Sequence, residues 1–176
     1  RFLKEGGAVA AVDLDEGNVN EFVKQESPSG DYGSLRGYTC DVSDSESVNS
    51  TVEQIASDLG GIDIVINNAG VGGIGKAVDV TNDGWRKVMA VDLDGVFYVA
   101  RATLPHLIRS KGNMVNTASI SGLYGDTAMV AYDTAKGGVV NFTRATAVDY
   151  GHDGVRVNAV CPGPVQTPML MGSVGG

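Results

Sequence analysis

Ile62-Asp-Ile-Val-Ile66-Asn67-Asn-Ala-Gly70 is a short β-branched run that ends abruptly in amides and small residues. It is too short for a helix, and it reads as a parallel strand buried on both faces that opens into a turn. Four runs of the same kind accompany it, at residues 8–14, 35–42, 113–118 and 155–160. Helical periodicity fills the intervals. Ser43-Asp-Ser-Glu46 has the form of a capping box; Val48, Val52, Ile55, Ala56 and Leu59 then keep one face apolar, and Gly60-Gly61 supplies a stop. A longer helix is expected over residues 83–109, with Trp85, Val88, Met89, Val96, Phe97, Leu104 and Leu107 inward and Pro105 as a kink or break. Another is expected over 132–150. Strands alternating with helices specify a doubly wound parallel sheet, an α/β fold of three layers of the Rossmann kind.

The chain has 176 residues, 43% of them hydrophobic, enough for one core, so residues 1–176 are expected to form a single domain. A formal charge of −8 disfavours nucleic acid and anionic membrane surfaces as partners. With no apolar run of membrane-spanning length and no signal peptide before the first strand, the expected setting is soluble and cytoplasmic. Cys40 and Cys161 fit no disulfide framework, and neither they nor the isolated His106 and His152 have metal-ligand spacing, so free thiols and no metal are expected. Arg1-Phe-Leu-Lys-Glu-Gly6-Gly7 reads as the last turns of a helix with its glycine stop, and the chain ends soon after Thr167. The expectation is a domain incomplete at both ends.

Tyr132-Asp-Thr-Ala-Lys136 puts a phenol and an ammonium one helical turn apart, downstream of Ser119. Residues i and i+4 share a helix face, so the Lys136 cation is expected within about 4–6 Å of the Tyr132 hydroxyl. At ~4 Å and an effective dielectric near 20 the attraction is about 4 kcal/mol, enough to draw a phenol from its ordinary pKa of about 10 toward neutrality. A tyrosine so tuned is a general acid or base.

Gly70-Val-Gly72-Gly-Ile-Gly75 satisfies a dinucleotide-binding fingerprint, and residues 70–76 also satisfy the opening of a phosphate-binding P-loop. The next position fails, because Ala77 has no hydroxyl for magnesium. Both motifs also need a helix to begin among the glycines, whereas residues 78–84 read as extended chain and turn before a helix capped near Asn82. The stretch is expected to be a loop.

Four motifs, Asn67-Asn-Ala-Gly70, residues 112–122 around Ser119, Tyr132 to Lys136, and Asn158-Ala-Val-Cys-Pro162-Gly-Pro-Val-Gln-Thr167, stand in the order and spacing of the short-chain dehydrogenase/reductase family. The chain resembles the classical type over essentially its whole length. The resemblance implies hydride transfer between NAD(H) and a small secondary alcohol or ketone, with Tyr132 as general acid/base, Ser119 on the substrate oxygen and Lys136 on the nicotinamide ribose. It implies cofactor contacts from Asp13, Asp41, Val42, Asn67, Ala69, Gly70, Tyr132, Lys136, Pro162, Gly163, Val165 and Thr167. Asp13 would close the second strand of the family fold and accept from the adenosine ribose, and with Asp15 and Glu16 next to it and no nearby cation, NAD is favoured over NADP. The family's first strand would then lie between the strands ending at Asp13 and Asn67. A dimer or tetramer is implied, through the two long helices. Tyr124, Met129, Met169 and Leu170 suggest a partly apolar substrate pocket.

One position departs from the pattern: where the family has asparagine in V-N-L-x-G, this chain has Val91-Asp92-Leu-Asp-Gly95, so Asp92 is a fourth candidate whose role must differ. A non-catalytic relative acting through its oligomer surface and a P-loop-like nucleotide hydrolase are the competing readings.

Overall fold

The computed structural model describes residues 1–27 and 33–167. Five strands, β1 (Val9–Asp13), β2 (Leu35–Thr39), β3 (Ile64–Asn67), β4 (Asn113–Thr117) and β5 (Arg156–Val160), alternate with helices α1 (Glu16–Glu26), α2 (Ser45–Leu59), α3 (Asn82–Met89), α4 (Gly95–Ser110) and α5 (Val130–Tyr150). Each strand falls on one of the apolar runs, and every pairing is parallel. The opening segment is a 3-10 turn, Phe2–Glu5, stopped by Gly6 in the left-handed region.

The strands form two sheets, β1-β2 and β3-β4-β5. Between them β1 and β3 border a cavity of about 560 Å³, with α2 and α4 contributing Val52 and Val99 to its walls. That is the position the family resemblance implies for a further strand. Val65 of β3 packs against Ala100, Leu104 and Leu107 of α4. Its neighbours Ile64 and Ile66 point the other way and are 46% and 54% exposed, as is Val12 of β1 at 42%. The main core lies beneath the second sheet, where Leu107 and Met114 are fully buried. Each contributes about 1.5–3 kcal/mol by leaving water.

Two helix expectations are corrected. The N-cap of α2 is Asp44, accepting from Glu46 N–H at 2.9 Å, because Ser43 is drawn to Asp41 Oδ1 by both its N–H and its hydroxyl. The helix expected over 83–109 is interrupted by a π turn, Ala90–Asp94, rather than at Pro105, which sits inside α4. Pro105 and Arg101, one turn earlier, are both exposed, so the carbonyl that the proline leaves unpaired faces water. Trp85 and Phe97, expected inward, are 37% and 42% exposed.

Candidate active site

β4 delivers Ser119 and α5 delivers Tyr132 and Lys136 to one place. After β4 the chain makes a 3-10 turn, Ile120–Gly122, in which Ser121 N–H donates to Ser119 Oγ at 3.1 Å. The turn lies directly on α5: a Cβ at Gly122 would come within 2.6 Å of the Lys136 carbonyl. Only glycine permits this approach. Ser119 is thereby buried beside the half-buried Tyr132, whose phenol it stabilises in the charged form by hydrogen bonding.

Lys136 makes its closest contacts away from Tyr132. Its ammonium is buried, donates to Thr117 O at 3.1 Å and stands 3.2 Å from Asp92 Oδ2. It lies 5.6 Å from the centroid of the Tyr132 ring. Asp92 is fully buried at the π turn, and its Oδ1 accepts from Val71 N–H at 2.8 Å. Oδ2 faces the Lys136 ammonium as a buried ion pair. Burial raises the Asp92 carboxyl pKa, against the pull of Lys136 and Val71 N–H. The expected depression of the Tyr132 pKa is reversed: burial raises it, Ser119 opposes, and Asp92, Asp133 and Asp126 add to the rise. Sharing a helix face did not fix where a long lysine side chain points.

The structure brings six of the residues implied for the cofactor to one cavity. Asp13, Asp41, Val42, Asn67, Ala69 and Gly70 all line the cavity between the two sheets. Asp13 is exposed at the end of β1, with Oδ1 accepting from Asp15 N–H at 3.0 Å. Asp41 Oδ1 is taken by Ser43. The Asn67 side chain is buried and donates to Asn116 Oδ1 at 2.8 Å, bracing β3 against β4. At Gly70 a Cβ would stand 3.1 Å from Asp92 Oδ2 and 3.4 Å from Lys136 Nζ, so a side chain there would press on this buried pair. At the opposite end Pro162 O accepts from Ile120 N–H at 3.1 Å, which ties the 162–167 segment, with Gly163, Val165 and Thr167, to the turn beside Ser119.

Residues 70–76 are a loop, joined to the start of α5 where Gly75 N–H donates to Ala128 O at 2.7 Å, and the next helix begins only at Asn82. The P-loop geometry is therefore absent. Tyr124 is strongly exposed and Met129 half-buried, while Met169 and Leu170 lie outside the described residues. Cys40 and Cys161 are free. Among the described residues no group of three or more His, Cys, Asp or Glu is placed to hold a metal, and no helix is long and apolar enough to cross a membrane.

Sequence reasoning missed a buried chain of amides. Asn116 Nδ2 donates to Thr143 Oγ1 at 2.9 Å, and Thr143 donates in turn to Val139 O at 2.7 Å, linking β3, β4 and α5 behind the site. The asparagine in the middle of an apolar strand was its only signal. Ser121, Asp126 and Asp133 form a second unforeseen group: the Ser121 hydroxyl donates to Asp126, whose N–H donates to Asp133 Oδ2 at 2.8 Å.

A family model described as enoyl-(acyl carrier protein) reductase matches residues 1–175. Meso-2,3-butanediol dehydrogenase of Serratia marcescens is 44% identical over 98% of this chain and 67% of its own length. The 2-(S)-hydroxypropyl-CoM dehydrogenase 3 of Xanthobacter autotrophicus is 38% identical over 93% of this chain and 64% of its own length. The chain thus spans about two thirds of the length of such relatives. Among solved structures, an actinorhodin polyketide ketoreductase with NADPH superposes with a TM-score of 0.92 at 32% identity, over 97% of this chain and 66% of that one.

Proposed function

The chain belongs to the short-chain dehydrogenase/reductase family, and from that premise we propose that it serves an NAD(H)-dependent oxidoreductase acting on small secondary alcohols or ketones. The observation that carries the proposal is the convergence of Ser119, Tyr132 and Lys136 from two elements on one spot, beside the cavity that Asp13 to Gly70 line. When bound, the nicotinamide supplies a hydride acceptor or donor. In the oxidising direction Tyr132 takes the hydroxyl proton of the substrate while Ser119 holds its oxygen, and in the reducing direction Tyr132 returns the proton. Asp13 receives the adenosine ribose and repels a 2′-phosphate, which favours NAD over NADP. Asp92 joins the site through Lys136. The half-buried Met129 gives the approach an apolar wall, and the butanediol dehydrogenase relative points to small secondary alcohols.

The −8 charge and the two unpaired cysteines favour a cytoplasmic setting and argue against nucleic acid as a partner. Association through α4 and α5 is supported by Phe97, which is exposed beneath the Arg101 guanidinium and edge-on to Phe142 of α5. The test of function is the change in NADH absorbance when the full-length protein meets a panel of secondary alcohols that includes butane-2,3-diol. Oxidation with NAD supports the reading. No turnover with NAD or NADP, in either direction, refutes it.

A further inference from the structure

The buried Asp92–Lys136 pair is more than a member of the site. The Lys136 ammonium lies 5.6 Å from the Tyr132 ring centroid and only 3.2 Å from Asp92 Oδ2. The remaining charged groups facing the phenol are all carboxylates: Asp133 on α5 itself and Asp126 on the loop after β4. The charged residues of α3, which packs on α5, are Asp83, Arg86 and Lys87, and all three are exposed to solvent. The cation that would draw the phenol toward ionisation is thus fixed against an anion, in a place with almost no access to water.

Two hydrogen bonds and one glycine keep this arrangement. Val71 N–H fixes Asp92 Oδ1, Thr117 O fixes the ammonium, and the absence of a side chain at Gly70 leaves the pair room. A neutral amide at position 92 would still accept from Val71 N–H, but it would not neutralise Lys136. The difference between carboxylate and amide here is therefore one of charge with little change of shape.

Resting on the proposed dehydrogenase reading, we infer that Asp92 is a positioning residue whose buried carboxylate holds Lys136 and cancels its charge, moving the working range of the Tyr132 proton step to alkaline pH. The raised pKa of the phenol agrees with this arrangement. In alcohol oxidation Tyr132 must accept a proton, so the rate rises with pH through its ionisation, and the acid limb of the profile reports on Asp92. In ketone reduction Tyr132 must donate, and the same ionisation forms the alkaline limb.

The experiment compares the full-length protein with Asp92→Asn. The profile of kcat/KM against pH for butane-2,3-diol oxidation should have its acid limb displaced to lower pH by about one unit in the variant, roughly a tenfold gain on that limb. A phenolate absorbance titration without cofactor, taken as the difference from Tyr132→Phe, supplies a readout that needs no turnover. In the unmodified protein the Tyr132 signal should appear only above the ordinary tyrosine range, and in Asp92→Asn it should move down. A phenolate signal near neutral pH with Asp92 intact overturns the inference, and that measurement stands even if Asp92→Asn fails to fold. An unchanged pH profile in a folded, active variant also overturns it. Lack of turnover by the unmodified protein would instead sink the dehydrogenase reading, while the titration would still judge Asp92.

Discussion

Replacing Asn116 by alanine should cost about 2–4 kcal/mol of folding stability, far more than a substitution outside the catalytic residues ordinarily costs. Asn116 is fully buried, accepts from Asn67 Nδ2 at 2.8 Å and donates to Thr143 Oγ1 at 2.9 Å. After truncation Thr143 keeps its bond to Val139 O at 2.7 Å, so the group left without its partner is the Asn67 amide. An orphaned buried donor costs about 1–3 kcal/mol, and the space left by the carboxamide adds about 1 kcal/mol. Urea unfolding followed by far-UV circular dichroism, on the full-length protein, measures the change. The decisive arm is a double-mutant cycle. If the two asparagines stabilise one another, Asn67→Leu with Asn116→Leu should be nearly as stable as the unmodified protein, within about 1 kcal/mol, because both partners leave together. Single changes that simply add in the double variant, with no coupling energy, would refute the view that the amides act as a unit.

Tyr132→Phe should lower turnover by roughly 100-fold or more, the loss expected for a positioned acid or base, with NADH affinity little changed; stopped-flow turnover and a fluorescence titration check the two halves. The same variant should flatten the alkaline loss of stability. The Tyr132 pKa is raised above its ordinary 10.0 by burial, with Ser119 opposing and Asp92, Asp133 and Asp126 reinforcing, so its contribution is fully present below pH 10.0 and lost as pH climbs from there through the folded value. The difference in melting temperature between the two proteins should therefore stay constant from acid to neutral pH and change only on the alkaline side, and a change at acid pH would contradict the assignment. Asp13→Ala should reduce the ratio of NAD to NADP efficiency by roughly ten- to a hundredfold, equivalent to about 1.5–3 kcal/mol for a charge-assisted bond. Steady-state kinetics with both cofactors decide it, and an NADP preference in the unmodified protein would remove Asp13 from the role.

Where the sequence could be read correctly, one physical property dominated each position. The short apolar or β-branched runs gave all five strands, because little else suits a parallel ladder. Gly70 and Gly122 fell in motifs whose close backbone approaches the structure displays. Reading failed where two partners compete for one group. Ser43 had the right spacing to cap α2 but is held by Asp41, and Asp44 takes the cap instead. The bond between Asn67 and Asn116 was illegible because two amides on separate strands meet only once the ladder is in register. For Lys136 the backbone period gave the face and left the direction open. A lysine stem long enough to reach Tyr132 also reaches Asp92, and the carboxylate offers opposite charge. The exposure of Ile64 and Ile66 was illegible because it depends on what borders the strand rather than on the strand itself.

The π turn at Ala90–Asp94 also sets the helix in phase. Val88, Asp92, Val96, Ala100 and Leu104 follow one another at steps of four, and all five are buried. In an uninterrupted α-helix each such step overshoots a full revolution by about 40°, so a row of five would wander around about 160° of the surface. The wider i→i+5 turn falls short of a revolution and brings the row back into line. Asp92 stands at the point of correction, so its aim is stored in the winding of the backbone as well as in its contacts. Deleting one residue from the turn would swing Asp92 and the rest of α4 to different bearings, and the carboxylate and the core beneath it would be lost together.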